Sequence, residues 1–115
     1  MPKKPKNSFD QYQEDAGRTA GFSGIQSEER LLCGILALGG EVGELQNYVK
    51  KGIWHGHGVN PEFVIEELGD ILWYIADVSS TMGVPLSEVA GRNIAKLKQR
   101  YPDGFSEEAS INRTK

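Results

Sequence analysis

An all-α fold of four to five helices is what this sequence predicts, and three observations carry the prediction. Leu31, Leu32, Ile35, Leu38, Val42, Leu45 and Val49 recur at mostly helical intervals. Helix start and stop signals punctuate the chain: Ser27 before Glu28 and Glu29, Asn60 before Pro61, and Pro102 after Tyr101. No stretch shows the apolar–polar alternation of a half-buried strand.

The elements follow in order. Ser8 is read as the cap of a first helix, with Gln11 as its reciprocal partner. That helix carries Phe9, Tyr12 and Ala16 and fades near Gly21, where GFSG reads as a loop. Ser27 caps the second helix, whose early acids suit its dipole. Lys50 and Lys51 suit its far end, and Gly52 can terminate it. Gly34, Gly39, Gly40 and Gly43 lie inside it, each costing up to about 1 kcal/mol against alanine. They admit two readings, a close approach of another group or a break near Gly39 and Gly40. IWHGHGVN reads as a loop. Asn60 and Pro61 start a third helix that runs to Gly83. Pro85 opens a fourth, bearing Leu86, Val89, Ile94 and Leu97, which ends at Tyr101 because Pro102 follows.

With 115 residues the chain suits one domain, expected over 8–105 between a flexible tail at 1–7 and a weakly structured one at 106–115. Its third helix is apolar nearly all round, which calls for burial on more than one side. A domain this small rarely offers that, so a homodimer or homotetramer is expected. A net charge of −3 and a pI near 5.4 argue against a nucleic-acid polymer as partner. No apolar run approaches the roughly 20 residues that span a bilayer. MPKKPKNSF lacks the apolar segment of a signal peptide. Cys33, the single cysteine, allows no intrachain disulfide and reads as core packing among Leu31, Leu32 and Ile35. A cytoplasmic location fits.

Two acidic pairs stand out within apolar runs: Glu41 and Glu44 in GGEVGELQ, and Glu67 and Asp70 in EELGDILWYIA. Residues three apart share a helix face, so each pair projects two carboxylates one way. The second and third helices are joined by a short loop and can pack antiparallel, which brings both pairs to similar depth. Two carboxylates about 4 Å apart repel by roughly 4 kcal/mol at an effective dielectric near 20. Facing pairs therefore call for a cation between them. Oxygen ligands suit Mg²⁺, with Mn²⁺ as substitute, and Mg²⁺ readily takes phosphate oxygens. A phosphate-bearing substrate is the natural partner. A carboxylate not engaged by metal can act as base, and Glu44 is the candidate.

GGEVGELQ, then EELGDILWYIA, then RNIAKLKQRYPDGFS closely resemble the MazG-like nucleotide pyrophosphohydrolases, and FDQYQEDAGRTAGF resembles the opening helix of short members. The likeness runs from about Phe9 to Ser106. It implies Mg²⁺-dependent cleavage of a nucleoside triphosphate to a monophosphate and pyrophosphate by an α-helical homodimer or tetramer. It implies metal ligands at Glu41, Glu44, Glu67 and Asp70, and places Asn93 and Lys96 near the phosphates. Arg100 and Tyr101 are further candidates on that segment. Lys51 serves as well at a helix end as at a substrate, and Trp54 could stack on a base. Trp73 reads as core or interface, and Asp77 shares a face with Asp70.

Other readings compete. Phosphoribosyl-ATP pyrophosphohydrolases use a similar carboxylate scaffold. A di-iron bundle normally needs E-x-x-H on two helices, yet Asn47 and Asp70 stand third after Glu44 and Glu67. His55 and His57 are too few for a zinc site and suit a polar loop. A non-catalytic helical assembly module would need no metal at all.

Overall fold

The computed structural model describes residues 6–21 and 27–112. The loop expected after Gly21 and most of the N-terminal tail fall outside them. Five helices follow in order: α1 (Ser8–Gly17), α2 (Ser27–Trp54), α3 (Pro61–Thr81), α4 (Leu86–Arg100) and α5 (Glu107–Ile111). No β-strand occurs among the described residues. No helix there is long and apolar enough to cross a membrane.

Two helix ends differ from the sequence reading. Asn7 caps α1, one residue before Ser8, its side chain accepting from Phe9 N at 2.9 Å. α2 runs unbroken through Gly39 and Gly40 and past Gly52 to Trp54. Gly52 is not a terminator but a point of close approach. A Cβ there would stand 2.5 Å from the Gly58 carbonyl oxygen and 2.7 Å from Val59 Cγ2. The loop folds back onto the last turn, and only glycine leaves room. Asn60 caps α3 as expected, accepting from Glu62 N at 3.0 Å with Pro61 in the first turn. The C-terminal segment closes with the one-turn α5, capped by Ser106.

α2 and α3 form an antiparallel hairpin whose register follows from three contacts. Near the start of α2, Gly34 lets Val78 approach, since a Cβ would lie 3.1 Å from Val78 Cγ2. Near the loop, Tyr48 and Phe63 have ring centroids 4.0 Å apart, and the Tyr48 hydroxyl accepts from Asn60 N at 2.8 Å. Midway, Glu41 meets Glu67 and Asp70. Gly34, Glu41 and Tyr48 are a heptad apart, so one stripe of α2 carries all three contacts.

α3 also packs on α1 and α4, and α1 reaches α4. That last contact completes a helix end. Pro85 gives α4 no side-chain cap. Instead Gln13 Oε1 accepts from Leu86 N at 2.8 Å, and Asp10 accepts from Ser87 N at 2.9 Å and from the Ser87 hydroxyl at 2.8 Å. α1 thus satisfies donors that α4 leaves open and sets a carboxylate at the positive end of its dipole.

The core is small: Ala76 and Leu86 are its buried apolar residues. Cys33 is exposed rather than packed, because its position on α2 turns away from the stripe that meets α3. The outer side of α3 is bare as well, with Ile65 60% and Leu68 52% exposed.

Candidate metal centre

Glu41, Glu67 and Asp70 each offer a carboxylate oxygen, all within 4.8 Å of one another. Heptad register on α2 brings Glu41 to this level, and the i,i+3 spacing on α3 points Glu67 and Asp70 at it. Glu67 is buried, Glu41 half-buried and Asp70 exposed, so the group opens to solvent on the Asp70 side. Glu41 Oε2 and Glu67 Oε2 are shut from solvent with no hydrogen-bond partner among the described residues. No cation pairs with any of the three there. Burial, then the charges of Glu44, Asp70 and Glu67, and last a hydrogen bond shared with Glu67, hold the Glu41 carboxyl above its usual range.

Such a set is unfavourable alone and complete with a divalent cation. The donors are all oxygens, and two are orphaned inward. The residues present therefore fit a hard metal ion. Glu44 stands apart: it is exposed, lies outside the converging group, and acts on Glu41 through its charge.

α1 brings groups that the acidic motifs alone did not reveal. A depression of about 380 Å³ beside the carboxylates is lined by Thr19, Glu41, Asp70, Trp73 and Tyr74. Tyr12 also approaches Asp70; burial first, and then that carboxylate, push its phenol above the usual value. Trp73 stands three residues after Asp70, so spacing alone places it on the same face, whereas the α1 residues need the tertiary packing.

The other candidates lie elsewhere on the molecule. Asn93 and Lys96 line a larger groove of about 540 Å³ with Arg92, Leu38, Ile75 and Met82. Lys51 and Trp54 sit in the last turn of α2, and Trp54 is 78% exposed. Arg100 ends α4, its Nε buried without a partner among the described residues, and Tyr101 packs on Phe105 with ring centroids 5.5 Å apart. Asp77 is committed to Arg30, whose Nη2 donates to its Oδ1 at 2.7 Å. His55 and His57 have ring centroids 6.2 Å apart and join no group of metal-binding residues among those described.

An all-helical fold with a carboxylate cluster between two antiparallel helices defines an α-helical protein with a candidate metal centre. Residues 26–105 match the MazG nucleotide pyrophosphohydrolase domain, and the chain belongs to that family. It is similar to the Gene 37 protein of Mycobacterium phage L5, at 37% identity over 111 residues, covering 90% of this chain and 97% of that one. No solved structure matches it.

Proposed function

We propose that this chain is a Mg²⁺-dependent nucleoside triphosphate pyrophosphohydrolase, converting a (d)NTP and water to a (d)NMP and pyrophosphate. The observation that carries the reading is the group of carboxylates between α2 and α3 with no cation beside them among the described residues, two of them with an orphaned oxygen, in a chain of the MazG family. Glu41, Glu67 and Asp70 would hold the ion, with Glu44 at the rim. Oxygen donors favour Mg²⁺, and Mn²⁺ would substitute. When bound, the ion offsets polyphosphate charge and polarises the phosphoanhydride.

The protein's own groups do the rest. Glu44, exposed beside Glu41, is the carboxylate left to accept the proton of the attacking water. The water oxygen bonds to phosphorus as the bridging P–O bond breaks in line, and the departing group carries away its electron pair. Asn93 and Lys96, with Arg100 and Tyr101 further along α4, would steady phosphate oxygens left uncovered. Lys51 and Trp54 would act only at the outer margin. A nucleotide substrate suits a cytoplasmic enzyme.

A homodimer or homotetramer belongs to the same proposal. Ile65, Leu68 and Leu72, exposed on one side of α3, supply the apolar centre of its interface.

The test is product analysis on a panel of NTPs, dNTPs and phosphoribosyl-ATP. Equal amounts of monophosphate and pyrophosphate with Mg²⁺, and neither with chelator, support the proposal. Chelator-insensitive turnover, or orthophosphate as the product, defeats it.

A further inference from the structure

We infer that the C-terminal segment of a second copy of this chain, residues 105–111, docks in the apolar groove between α3 and α4. This rests on the self-association proposed above and assigns it a further contact. The segment from Ser106 onward lies beyond the residues that match the family, so the contact belongs to this chain's own sequence.

The segment is left bare by its own chain. α5 has five residues, and a helix so short is unstable in water unless something packs on it. The space beside it, about 460 Å³, is lined by Pro102, Asp103, Phe105, Ala109 and other residues of the same stretch, with none from α1 to α4. Phe105 is 76% and Ile111 81% exposed. Residues 102–112 carry Asp103, Glu107 and Glu108 and no lysine or arginine.

The groove offers the complement. It measures about 540 Å³ and has Leu38, Ile75, Met82 and Val89 among its apolar residues. Met82 and Val89 are exposed there. The charged residues that line it are Glu88, Arg92 and Lys96, which leaves one positive charge in excess. Arg92 meets Glu88 at 3.2 Å, one turn earlier on α4, with 80% of its own side chain in solvent. So exposed a pair holds weakly, and Arg92 is able to turn to incoming carboxylates. From Glu88 to Lys96, α4 spans about 12 Å at 1.5 Å per residue, room for a helix of five residues with an apolar side chain at either end. Phe105 and Ile111 then enter the apolar floor, while Glu107 and Glu108 face Arg92 in the field of Lys96. The start of the chain, with Lys3, Lys4 and Lys6, has the wrong sign for this groove.

Ile65, Leu68, Leu72 and Ile75 recur at helical spacing on one side of α3, so the groove continues the side proposed for self-association. A segment of this size falls short of the 20 to 30 residues that each side of a stable interface supplies, roughly. It therefore adds to the α3 contact and does not replace it.

Cross-linking tests the docking. Cys33 is the single cysteine, so Cys33→Ser gives a thiol-free background. In it, Arg92→Cys chains and Glu108→Cys chains mixed in equal amounts with oxidised glutathione should form a disulfide-linked pair. The yield should be at least fivefold that from either variant alone. No linked pair, or as much from one variant alone, overturns the docking. A segment that sits on its own α4, or a groove filled by another protein, leaves the mixture unlinked in this way. A charge swap tests the same contact without thiols. Glu107→Lys with Glu108→Lys should raise the dissociation constant for self-association at least threefold in sedimentation, and Arg92→Glu should do the same. The three substitutions in one chain should restore it, and failure to restore it overturns the docking. Wild type that sediments as a single chain at every concentration overturns both the self-association and this contact. Wild type that associates while the mixture stays unlinked overturns this contact alone.

Discussion

Arg30 donates to Asp77 across 2.7 Å, and nothing equivalent faces Asp70, one heptad earlier on α3, among the described residues. Both acids lie on the side of α3 that meets α2. One has its cation built into the chain. The other gathers two more carboxylates and no counter-charge. The contrast separates an acid held by an ion pair from one in a group that could hold a metal ion.

Removing the built-in cation pair should cost stability without touching the metal. Asp77→Asn removes the carboxylate charge that Arg30 donates to. Breaking a fully buried pair costs roughly 3–5 kcal/mol. Arg30 keeps 28% of its side chain exposed, so a loss of about 2 kcal/mol is expected. Urea unfolding measures it, and Mg²⁺ should still stabilise the variant.

Neutralising a metal-site acid should do the reverse. Glu67→Gln removes one of three converging charges, so the metal-free protein should be at least as stable as wild type. Wild type at 100 times the dissociation constant of Mg²⁺ should gain about 2.7 kcal/mol, and Glu67→Gln should gain almost none. Thermal melts with and without the ion show both effects.

The raised carboxyl of Glu41 sets a pH dependence. In the metal-free fold it binds its proton more tightly than in the unfolded chain. Its charged form therefore opposes folding, and stability falls as pH rises from the usual glutamate range through the raised value. Metal binding needs the charged form, so the gain from Mg²⁺ should shrink on acidification through the same window. Glu41→Gln should flatten the metal-free profile there, as melting temperatures across pH will show.

Gly52→Ala should displace the loop that leans on α2, because its Cβ would overlap the Gly58 carbonyl. The expected cost is about 1–3 kcal/mol, as for overpacking elsewhere. Proteolysis between His55 and Asn60 should speed up.

Much of this was legible in residue order. Caps at Asn60 and the proline before α4 mark helix ends because they act locally. The paired acids point to the carboxylate cluster because i,i+3 spacing holds on any helix, but of the four only Glu41, Glu67 and Asp70 converge and Glu44 stays outside. Gly52 was misread because its role depends on a contact with Gly58 that no local rule encodes. Cys33 was misread because an apolar neighbourhood in sequence does not say which side of α2 meets α3. Thr19 and Tyr12 escaped notice since they reach the acids only through the docking of α1.

Direct binding of Mn²⁺, followed by the loss of its free-ion paramagnetic resonance signal, tests the central claim most closely. The wild-type protein should take up the ion saturably, in competition with Mg²⁺. Glu67→Gln and Asp70→Asn should abolish uptake, while Glu66→Gln, exposed beside them, should retain it. Undiminished uptake by Glu67→Gln and Asp70→Asn would contradict the account.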